Sequence, residues 1–432
     1  MPELKLDSLQ KGRFGDIVAR HMEIFEGVIL YTFLFVGIYF QVFILFTYLV
    51  SRKQIKADGN RSFELGKYPS VAVIVPAWNE EKTLAKTLDS LLNLAYPKDK
   101  LKIVVVNDGS TDKTAEIMEQ YKKIHPQIET FSKENGGKHT AVNFGITHTE
   151  SDLIGCLDAD SFVERDTLKK MACVFENPNV MAVTPAMKIY QPKSIVQMIQ
   201  SAEYVFGVLV KKVMGLIGAI HVTPGPFTIF RRDVFTKIGL FRKAHNTEDM
   251  EIAFRMQANH LQIENVHNAW VYTTGPSTVR KLYRQRLRWT HGFLENAKDY
   301  KYLFFNKKYG NIGLITLPVG LILIIGVLFS VFFIFYRIVN WLVTKFIEWR
   351  TVGFLRPHLS FSFFYVSTRL HIILIVSIYL LMIMILLSAY KLAEEKAGKN
   401  ILLYFVLYPF ISPFWVIKSL WNTAFAKKTK WR

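Results

Sequence analysis

Cysteine is scarce in this chain, with only two among 432 residues. Cys156 and Cys173 lack the paired spacing of a zinc site and are too few for a disulfide framework. This excludes a cysteine-rich metal cluster and a small disulfide-stabilised fold. We therefore predict two reduced residues in a buried core.

Acidic residues are also fewer than basic ones, 35 against 54, which gives a formal net charge of +19. This excess does not indicate a nucleic-acid partner, because the chain has no basic helix and no aromatic ribonucleoprotein motif. Basic residues that flank membrane spans and face anionic headgroups account for most of the charge. A few of the basic residues could bind a phosphorylated small substrate.

Formal charge is absent from three long segments, 27–50, 312–336 and 370–390, in a chain that is 50% hydrophobic. Each segment can cross a bilayer as a helix of about 20 residues. A fourth run, 401–417, is shorter and contains Pro409 and Pro413. It fits a full span, a re-entrant hairpin or an interfacial helix.

Basic residues predict the orientation of these spans. They follow the first span at Arg52 and Lys53 and precede the second at Lys307 and Lys308, which places the segment between them in the cytoplasm. The first apolar run begins too late and is too long for a cleaved signal, so we predict a retained anchor. The expected localisation is the cell (plasma or inner) membrane, in a multi-pass topology.

The predicted organisation has five parts. They are an N-terminal segment (1–23), a transmembrane helix (24–50), a cytoplasmic domain (51–278), an amphipathic interface helix (279–306) and a C-terminal membrane region (307–432, with spans at about 312–336, 370–390 and, as a third candidate, 401–421). Four full spans would leave the basic end, 427–432, outside. Either 401–417 does not fully cross, or another segment within 340–369 does.

The middle of the chain alternates β-branched runs with helical patterns, which predicts an α/β domain with a mostly parallel sheet covered on both faces. Asn79 could cap the first helix and Asp112 leads the second. The stretch 194–218 is amphipathic and fits either an interface helix or a core helix. The predicted strands are 71–76, 101–108, 152–158 and 180–187, and the predicted helices include 80–94 and 165–175.

Polar residues follow three of these strands. Residues 76–80 follow the first, Asn107 and Asp108 close the second, and Asp158 and Asp160 close the third. Ligands bind beyond the carboxyl ends of strands in such sheets, so we expect the three groups to converge on one rim. Any one group could consist of turn formers and helix caps. The three together indicate a binding site.

Asp158 and Asp160 are separated by one residue, so at an extended strand end their carboxylates would lie side by side. Two carboxylates that close repel each other unless a cation lies between them or one takes a proton. An oxygen-only pair with open positions suits Mg²⁺ or Mn²⁺ completed by water and phosphate oxygens.

Three further motifs accompany this pair. "ENGGKHTAVNFG" (134–145) places Lys138 on a glycine loop before a helix, within reach of a phosphate. "NTEDMEIAFRMQ" (246–257) places Glu248 and Asp249 at a helix start, where capping is the alternative reading. In "YRQRLRWTHGF" (283–293), Gln285, Arg288 and Trp289 share one helical face, whereas Arg284 and Arg286 point elsewhere, towards lipid headgroups.

The ordered set "PAWNEE", "VVVNDGSTD", "NGGKHTAVN", "LDADS", "TPGPFTIFRR", "TEDMEIAFRMQ" and "QRLRW" resembles the processive membrane β-glycosyltransferases of glycosyltransferase family 2. That family includes cellulose, hyaluronan, chitin-oligosaccharide and poly-N-acetylglucosamine synthases. The resemblance covers about residues 70–300 and the flanking spans. It implies a GT-A-like α/β fold combined with transmembrane helices.

The resemblance also implies roles for single residues. Asp158 and Asp160 would bind the donor diphosphate, and Asp160 would do so mainly through Mg²⁺ or Mn²⁺. Asp249 would be the general base that deprotonates the acceptor hydroxyl. The remaining residues would bind the donor (Ala77, Asn79, Glu80, Asp108, Lys138, Gln285 and Arg288) or the acceptor (Gly225, Pro226, Glu248 and Trp289).

The function so implied is inverting transfer from a UDP-sugar to a growing polysaccharide, which the membrane helices would translocate. UDP-N-acetylglucosamine is the favoured donor, ahead of UDP-glucose and of alternating hyaluronan-type use, and an accessory membrane subunit is a further expected partner. A non-processive enzyme that adds one sugar to a lipid acceptor is the alternative, although Q-x-x-R-W favours the processive one. A third hypothesis, a non-enzymatic scaffold or a transporter, is disfavoured because neither would need the acidic and basic site residues.

Overall fold

The computed structural model describes residues 3–60, 63–353 and 370–425. The chain divides into two compact units, one formed by residues 1–49 and 332–385 and the other by residues 50–331 and 386–432. The basic terminal segment 427–432 and most of the candidate span within 340–369 lie outside the described residues.

Twelve α-helices are found among the described residues. They are α1 (Glu3–Asn60), α2 (Leu84–Leu92), α3 (Thr114–Ile124), α4 (Lys138–Thr147), α5 (Thr167–Ala172), α6 (Ile195–Leu216), α7 (Asp233–Ile238), α8 (Glu248–Ala258), α9 (Val279–Asp299), α10 (Leu317–Val352), α11 (Leu370–Leu392) and α12 (Lys399–Ala424). The strands are β1 (Val71–Ala77), β2 (Leu101–Asp108), β3 (Ile128–Lys133), β4 (Leu153–Cys156), β5 (Ser161–Val163), β6 (Val180–Ile189), β7 (Thr228–Arg231) and β8 (Gln262–Thr273).

Four helical stretches among the described residues are long and apolar enough to cross a membrane: Glu26–Asn60, Ile312–Val352, Leu370–Leu392 and Lys399–Ala424. α1 extends well beyond the predicted span 24–50, because no proline interrupts it before Gly59 and Asn60. α12 is one continuous helix with Pro409 and Pro413 inside it, so the re-entrant hairpin is wrong.

The eight strands form one sheet in the order β3-β2-β1-β4-β7-β6-β8-β5. β1 is parallel to β2 and β4, β2 to β3, and β6 to β8. β7 is antiparallel to β4 and β6, and β5 is antiparallel to β8. The sheet is therefore mixed, with four parallel and three antiparallel strand pairings. β5 and β7 have only 3 and 4 residues, too short for a periodic pattern to reveal them.

The core forms around β1 and β2, whose alternating valines and isoleucines are buried on both faces of the sheet. Four residues of α2, namely Leu84, Thr87, Leu88 and Leu91, are buried at helical spacing. Cys156 and Cys173 are also buried, which confirms their placement in the core.

Asn79 does not cap the first helix of the domain. α2 begins only at Leu84, and Asn79 adopts a left-handed conformation with φ of 55°. Its Oδ1 accepts a hydrogen bond from the Thr111 amide at 2.8 Å, so it joins two loops instead. Asp112 does lead α3, since its Oδ1 accepts from the Thr114 amide at 3.0 Å.

Helices α6, α9 and α12 pack together. α6 starts with a capping box formed by Ser194 and Gln197, and it packs on β6 and β8. This supports the core-helix alternative for 194–218. α12 contributes Trp415 and Ser419 from its second half to the buried contacts.

Candidate active site

The carboxyl ends of three parallel strands meet at one edge of the sheet. Ala77 ends β1, Asp108 ends β2, and Asp158 lies two residues beyond β4. Together with Glu80, Asp160 and other residues they line a cavity of about 150 Å³. The convergence of the three polar groups on one rim is therefore observed.

Asp108 anchors the glycine loop that precedes α4. It is only 3% exposed, and its Oδ1 accepts from Lys133 Nζ at 2.7 Å and from the Gly136 amide at 3.1 Å. Its Oδ2 accepts from the Gly137 amide at 2.9 Å. Gly137 has φ of 92°, a conformation that favours glycine. This loop delivers Lys138, which is the first residue of α4 rather than part of the loop.

Lys138 lies among carboxylates. Its Nζ pairs with Asp158 Oδ1 and lies 3.6 Å from Glu248 Oε1. Burial alone would lower the pKa of Lys138, but the charges of Asp158, Glu248 and Asp249 outweigh it, so the pKa is raised above its ordinary value. Lys138 is thus a fixed cation between the two acidic groups of the site.

Asp158 and Asp160 lie in the turn after β4 and not on an extended strand, because β4 already ends at Cys156. The pKa of Asp160 is raised to about 6 by burial and by the negative charges of Asp158 and Glu80. Among the described residues no group of three or more His, Cys, Asp or Glu side chains could hold a metal ion. The pair fits a hard cation that takes its other ligands from water and phosphate.

A second cavity, of about 580 Å³, adjoins the first, because Lys138, Asp158, Asp160 and Arg288 line both. The predicted acceptor residues Gly225, Pro226, Glu248 and Trp289 line it together with Asp249 and Gln285. Of the predicted site residues, only Asn79 lines neither cavity.

Asp249 lies in the first turn of α8, as its motif predicted. Its backbone oxygen accepts from the Thr223 amide at 3.1 Å and from Thr223 Oγ1 at 2.8 Å, which fixes its position. Burial and the charge of Glu248 raise the pKa of Asp249 to about 6, although Lys138 and Arg288 oppose the shift. A carboxyl group with this pKa can accept a proton near neutral pH.

The face of α9 predicted for Gln285, Arg288 and Trp289 does line the larger cavity. Arg288 Nη1 donates to the Asn246 backbone oxygen at 3.1 Å, which joins α9 to the loop before α8. Gln285 Oε1 is buried without a hydrogen-bond partner among the described residues.

Arg286 was predicted to face lipid headgroups, and this is wrong. It is 6% exposed, lines the larger cavity and donates from Nη2 to Glu203 Oε2 at 2.6 Å. Its partner comes from α6, more than eighty residues earlier, which helical spacing within one motif cannot reveal. Arg284 is exposed.

The cavity residues that the sequence motifs missed include Glu203 and Lys211 of α6, and His221. Burial lowers the pKa of Lys211 to about 8 despite the charge of Asp249, and burial with the charge of Lys211 lowers the pKa of His221 to about 4. Charged residues within the apolar stretch 194–218 were the signal that could have revealed the first two.

Residues 72–239 match the model of glycosyl transferase family 2. This segment therefore resembles a family 2 glycosyltransferase domain. The poly-beta-1,6-N-acetyl-D-glucosamine synthase of Staphylococcus epidermidis is 30% identical over 274 residues, 63% of this chain and 66% of the relative. The synthase of the same name from Staphylococcus aureus is 29% identical over 273 residues, with the same coverage. The match spans just under two thirds of these relatives' length.

A solved structure shares the fold of this chain. It is the mannosyltransferase PcManGT from Pyrobaculum calidifontis, in complex with GDP-Man and Mn²⁺, with a TM-score of 0.55 and 16% identity. The alignment covers 91% of this chain and 99% of that one. The predicted GT-A-like fold is confirmed, as an α/β sheet combined with long apolar helices.

Proposed function

We propose that this protein is a membrane-embedded, inverting β-glycosyltransferase that adds N-acetylglucosamine from UDP-N-acetylglucosamine to a growing polysaccharide. The observation that carries this proposal is the pair of adjoining cavities. Predicted donor residues line the smaller cavity, and Asp249 and the predicted acceptor residues line the larger one. Lys138, Asp158, Asp160 and Arg288 lie where donor and acceptor would meet.

In the proposed reaction, the acceptor hydroxyl oxygen bonds to the anomeric carbon of the donor while the bond from that carbon to the diphosphate oxygen breaks. Asp249 takes the hydroxyl proton, and Lys138 and Arg288 stabilise the negative charge on the departing UDP. A single displacement inverts the anomeric carbon, so an α-linked donor yields a β-linked product. Asp108 holds the glycine loop that positions Lys138.

Asp158 and Asp160 would hold a divalent cation, Mg²⁺ or Mn²⁺. Such an ion neutralises charge on the diphosphate when it is bound. Burial, with the negative charges of Asp158 and Glu80, raises the pKa of Asp160, and a cation bound at the pair would favour its ionised form. The presence of Mn²⁺ in the PcManGT complex supports the same choice of ion.

The names of the staphylococcal relatives support N-acetylglucosamine as the transferred sugar and a polymer as the product. Four candidate membrane helices support a membrane location and a path for a hydrophilic polymer. An accessory membrane subunit remains part of the proposal. Transfer of a single sugar to a lipid acceptor is the second candidate, and the exposed apolar helices would bring such an acceptor to the site.

The decisive experiment incubates the purified full-length protein in lipid nanodiscs with a panel of radiolabelled UDP-sugars and separates the products by size. We expect a ladder or polymer from UDP-N-acetylglucosamine, lost in EDTA and restored by Mg²⁺ or Mn²⁺. Asp160→Asn should lose activity, whereas Asp99→Asn, at an exposed position, serves as the matched control. One labelled lipid would support the second candidate. Labelled product that is insensitive to EDTA would contradict the metal assignment.

A further inference from the structure

A charged contact lies behind the acceptor end of the larger cavity, where three helices meet. Glu203 of α6 accepts from Arg286 Nη2 of α9 at 2.6 Å, through its Oε2. Its other oxygen, Oε1, accepts from the hydroxyl of Tyr408 on α12 at 3.0 Å. Both carboxylate oxygens of Glu203 are therefore engaged, one by each neighbouring helix.

Arg286 contacts Trp289 as well as Glu203. Its guanidinium carbon lies 4.3 Å from the centre of the Trp289 ring, within the range of a cation–π interaction. Glu203, Arg286 and Trp289 all line the larger cavity. A buried guanidinium held from one side by a carboxylate has few orientations, so the ring stacked on it is restrained as well.

The third helix is a candidate membrane helix. α12 packs along α6 and α9, and Ser419 Oγ donates to the Leu287 backbone oxygen at 3.4 Å. Tyr408 directly precedes Pro409, inside α12. A proline removes one helical hydrogen bond and favours a bend. Pro409 therefore weakens the backbone hydrogen bonding of α12 next to the residue that contacts Glu203.

We propose that Glu203 is a positioning residue: together with Tyr408 of the apolar helix α12, it orients Arg286 and thereby holds Trp289 against the terminal sugar of the acceptor. This inference rests on the proposed function. It adds to the transfer site a tyrosine from the C-terminal helix and a glutamate from α6, neither of which belongs to the recognised motifs.

The proposal predicts that Glu203 and Tyr408 affect acceptor binding but not donor binding. The Asp108 and Lys138 contacts do not involve Glu203 or Tyr408, so nucleotide affinity should not depend on them. The buried Nε of Arg286 has no hydrogen-bond partner among the described residues. A sugar hydroxyl in the cavity would provide one.

The test compares Tyr408→Phe and Glu203→Gln with Tyr404→Phe in the full-length protein. The Tyr404 ring lies 4.9 Å from that of Tyr408, which makes Tyr404→Phe a matched loss of a hydroxyl at the same site. Three quantities are measured: UDP affinity by calorimetry, melting temperature, and UDP release against the concentration of an N-acetylglucosamine oligosaccharide.

We expect Glu203→Gln to raise the KM for the oligosaccharide about tenfold and Tyr408→Phe about threefold, which are typical effects of weakening hydrogen bonds to a charged group. The Kd for UDP should stay within about twofold of the wild-type value, and Tyr404→Phe should match the wild type. The double variant should be no worse than Glu203→Gln alone, because both residues act through Arg286.

Provided that the wild type transfers sugar, the inference alone would be overturned by an unchanged KM for the oligosaccharide in both variants, or by additive losses in the double variant. Equal losses of UDP and oligosaccharide affinity would likewise show a general structural role. If Glu203→Gln fails to fold, Tyr408→Phe still decides, since it removes only a hydroxyl. A wild type that transfers no sugar would refute the proposed function, and the inference with it.

Discussion

At the scale of single residues, the site combines several buried carboxyl groups with the buried cation Lys138, and the carboxyl groups have different surroundings. Lys138 pairs with Asp158 and lies 3.6 Å from Glu248, whereas Asp249 forms no ion pair within the described residues and its backbone oxygen accepts from Thr223. Burial raises the pKa of Asp249 and of Asp160, yet only Asp249 lies in the first turn of a helix beside the acceptor residues. This placement is the reason to assign proton transfer to Asp249.

Asp249→Asn should abolish transfer and leave UDP binding largely intact, because the amide keeps the size of the side chain but cannot accept the proton. We expect a loss of at least about a hundredfold in kcat, the lower range for removal of a general base. Calorimetry with UDP and a radiolabel transfer assay measure the two quantities. Asp99→Asn is the matched control. Equal loss of binding and transfer would refute the assignment as base.

The pH dependence of transfer should have an acidic limb. The pKa of Asp249 is raised to about 6, so the base is ionised above that pH and protonated below it. At saturating donor, kcat should therefore fall about tenfold per pH unit below about 6. Titration of Asp160 would instead appear in kcat/KM for the donor. A kcat that stays flat down to pH 5 would contradict the role of Asp249.

At the scale of elements, the close approach of α8 and α9 sets the distance between the base and the acceptor residues. Gly292 of α9 faces Thr247, the residue before α8, and a Cβ at this position would come within 2.9 Å of Thr247 Cβ. Thr247 Oγ1 also accepts from Asn296 Nδ2 at 2.9 Å. The two helices can be this close only because position 292 has no side chain.

Gly292→Ala should therefore impair transfer, although alanine is the better helix former. The added methyl group must push α9 away from α8, and overpacking of this kind costs about 1–3 kcal/mol of stability. We expect a drop of several degrees in melting temperature and a rise in KM for the acceptor. Gly27→Ala in α1, where nothing lies within 4 Å of the new Cβ, is the control and should behave like the wild type. Normal activity of Gly292→Ala would mean that α9 tolerates displacement.

Much of this arrangement could be predicted from the sequence where the signal is local. The buried valines of β1 and β2, the acidic start of α8 and the shared face of α9 all follow from spacing within one element. The antiparallel strand β7, the Asn79 contact to Thr111 and the partners of Arg286 depend on residues distant in sequence. Local patterns carry no information on such contacts, so those predictions were missing or wrong.

At the scale of the whole molecule, contacts of the C-terminal part bear on the topology. Lys188 at β6 pairs with Glu395, between α11 and α12, at 2.9 Å. The second half of α12 then packs on α9, where Ser419 Oγ donates to the Leu287 backbone oxygen. The Lys188–Glu395 pair places Glu395, within the segment 391–398, beside β6. We therefore propose that α12 is a helix at the membrane surface rather than a fourth full span, a topology that remains to be measured.

Cysteine labelling can test this topology, because the native Cys156 and Cys173 are both buried at 4% exposure and should give little background. Lys123→Cys on α3 and Lys396→Cys before α12 place single thiols at exposed positions. If the sheet and residues 391–398 share the cytoplasmic side, a membrane-impermeant maleimide should label both thiols in inside-out vesicles and neither in intact cells. Labelling of Lys396→Cys alone in intact cells would contradict the Lys188–Glu395 contact. Labelling of both would reverse the orientation that the basic residues predict.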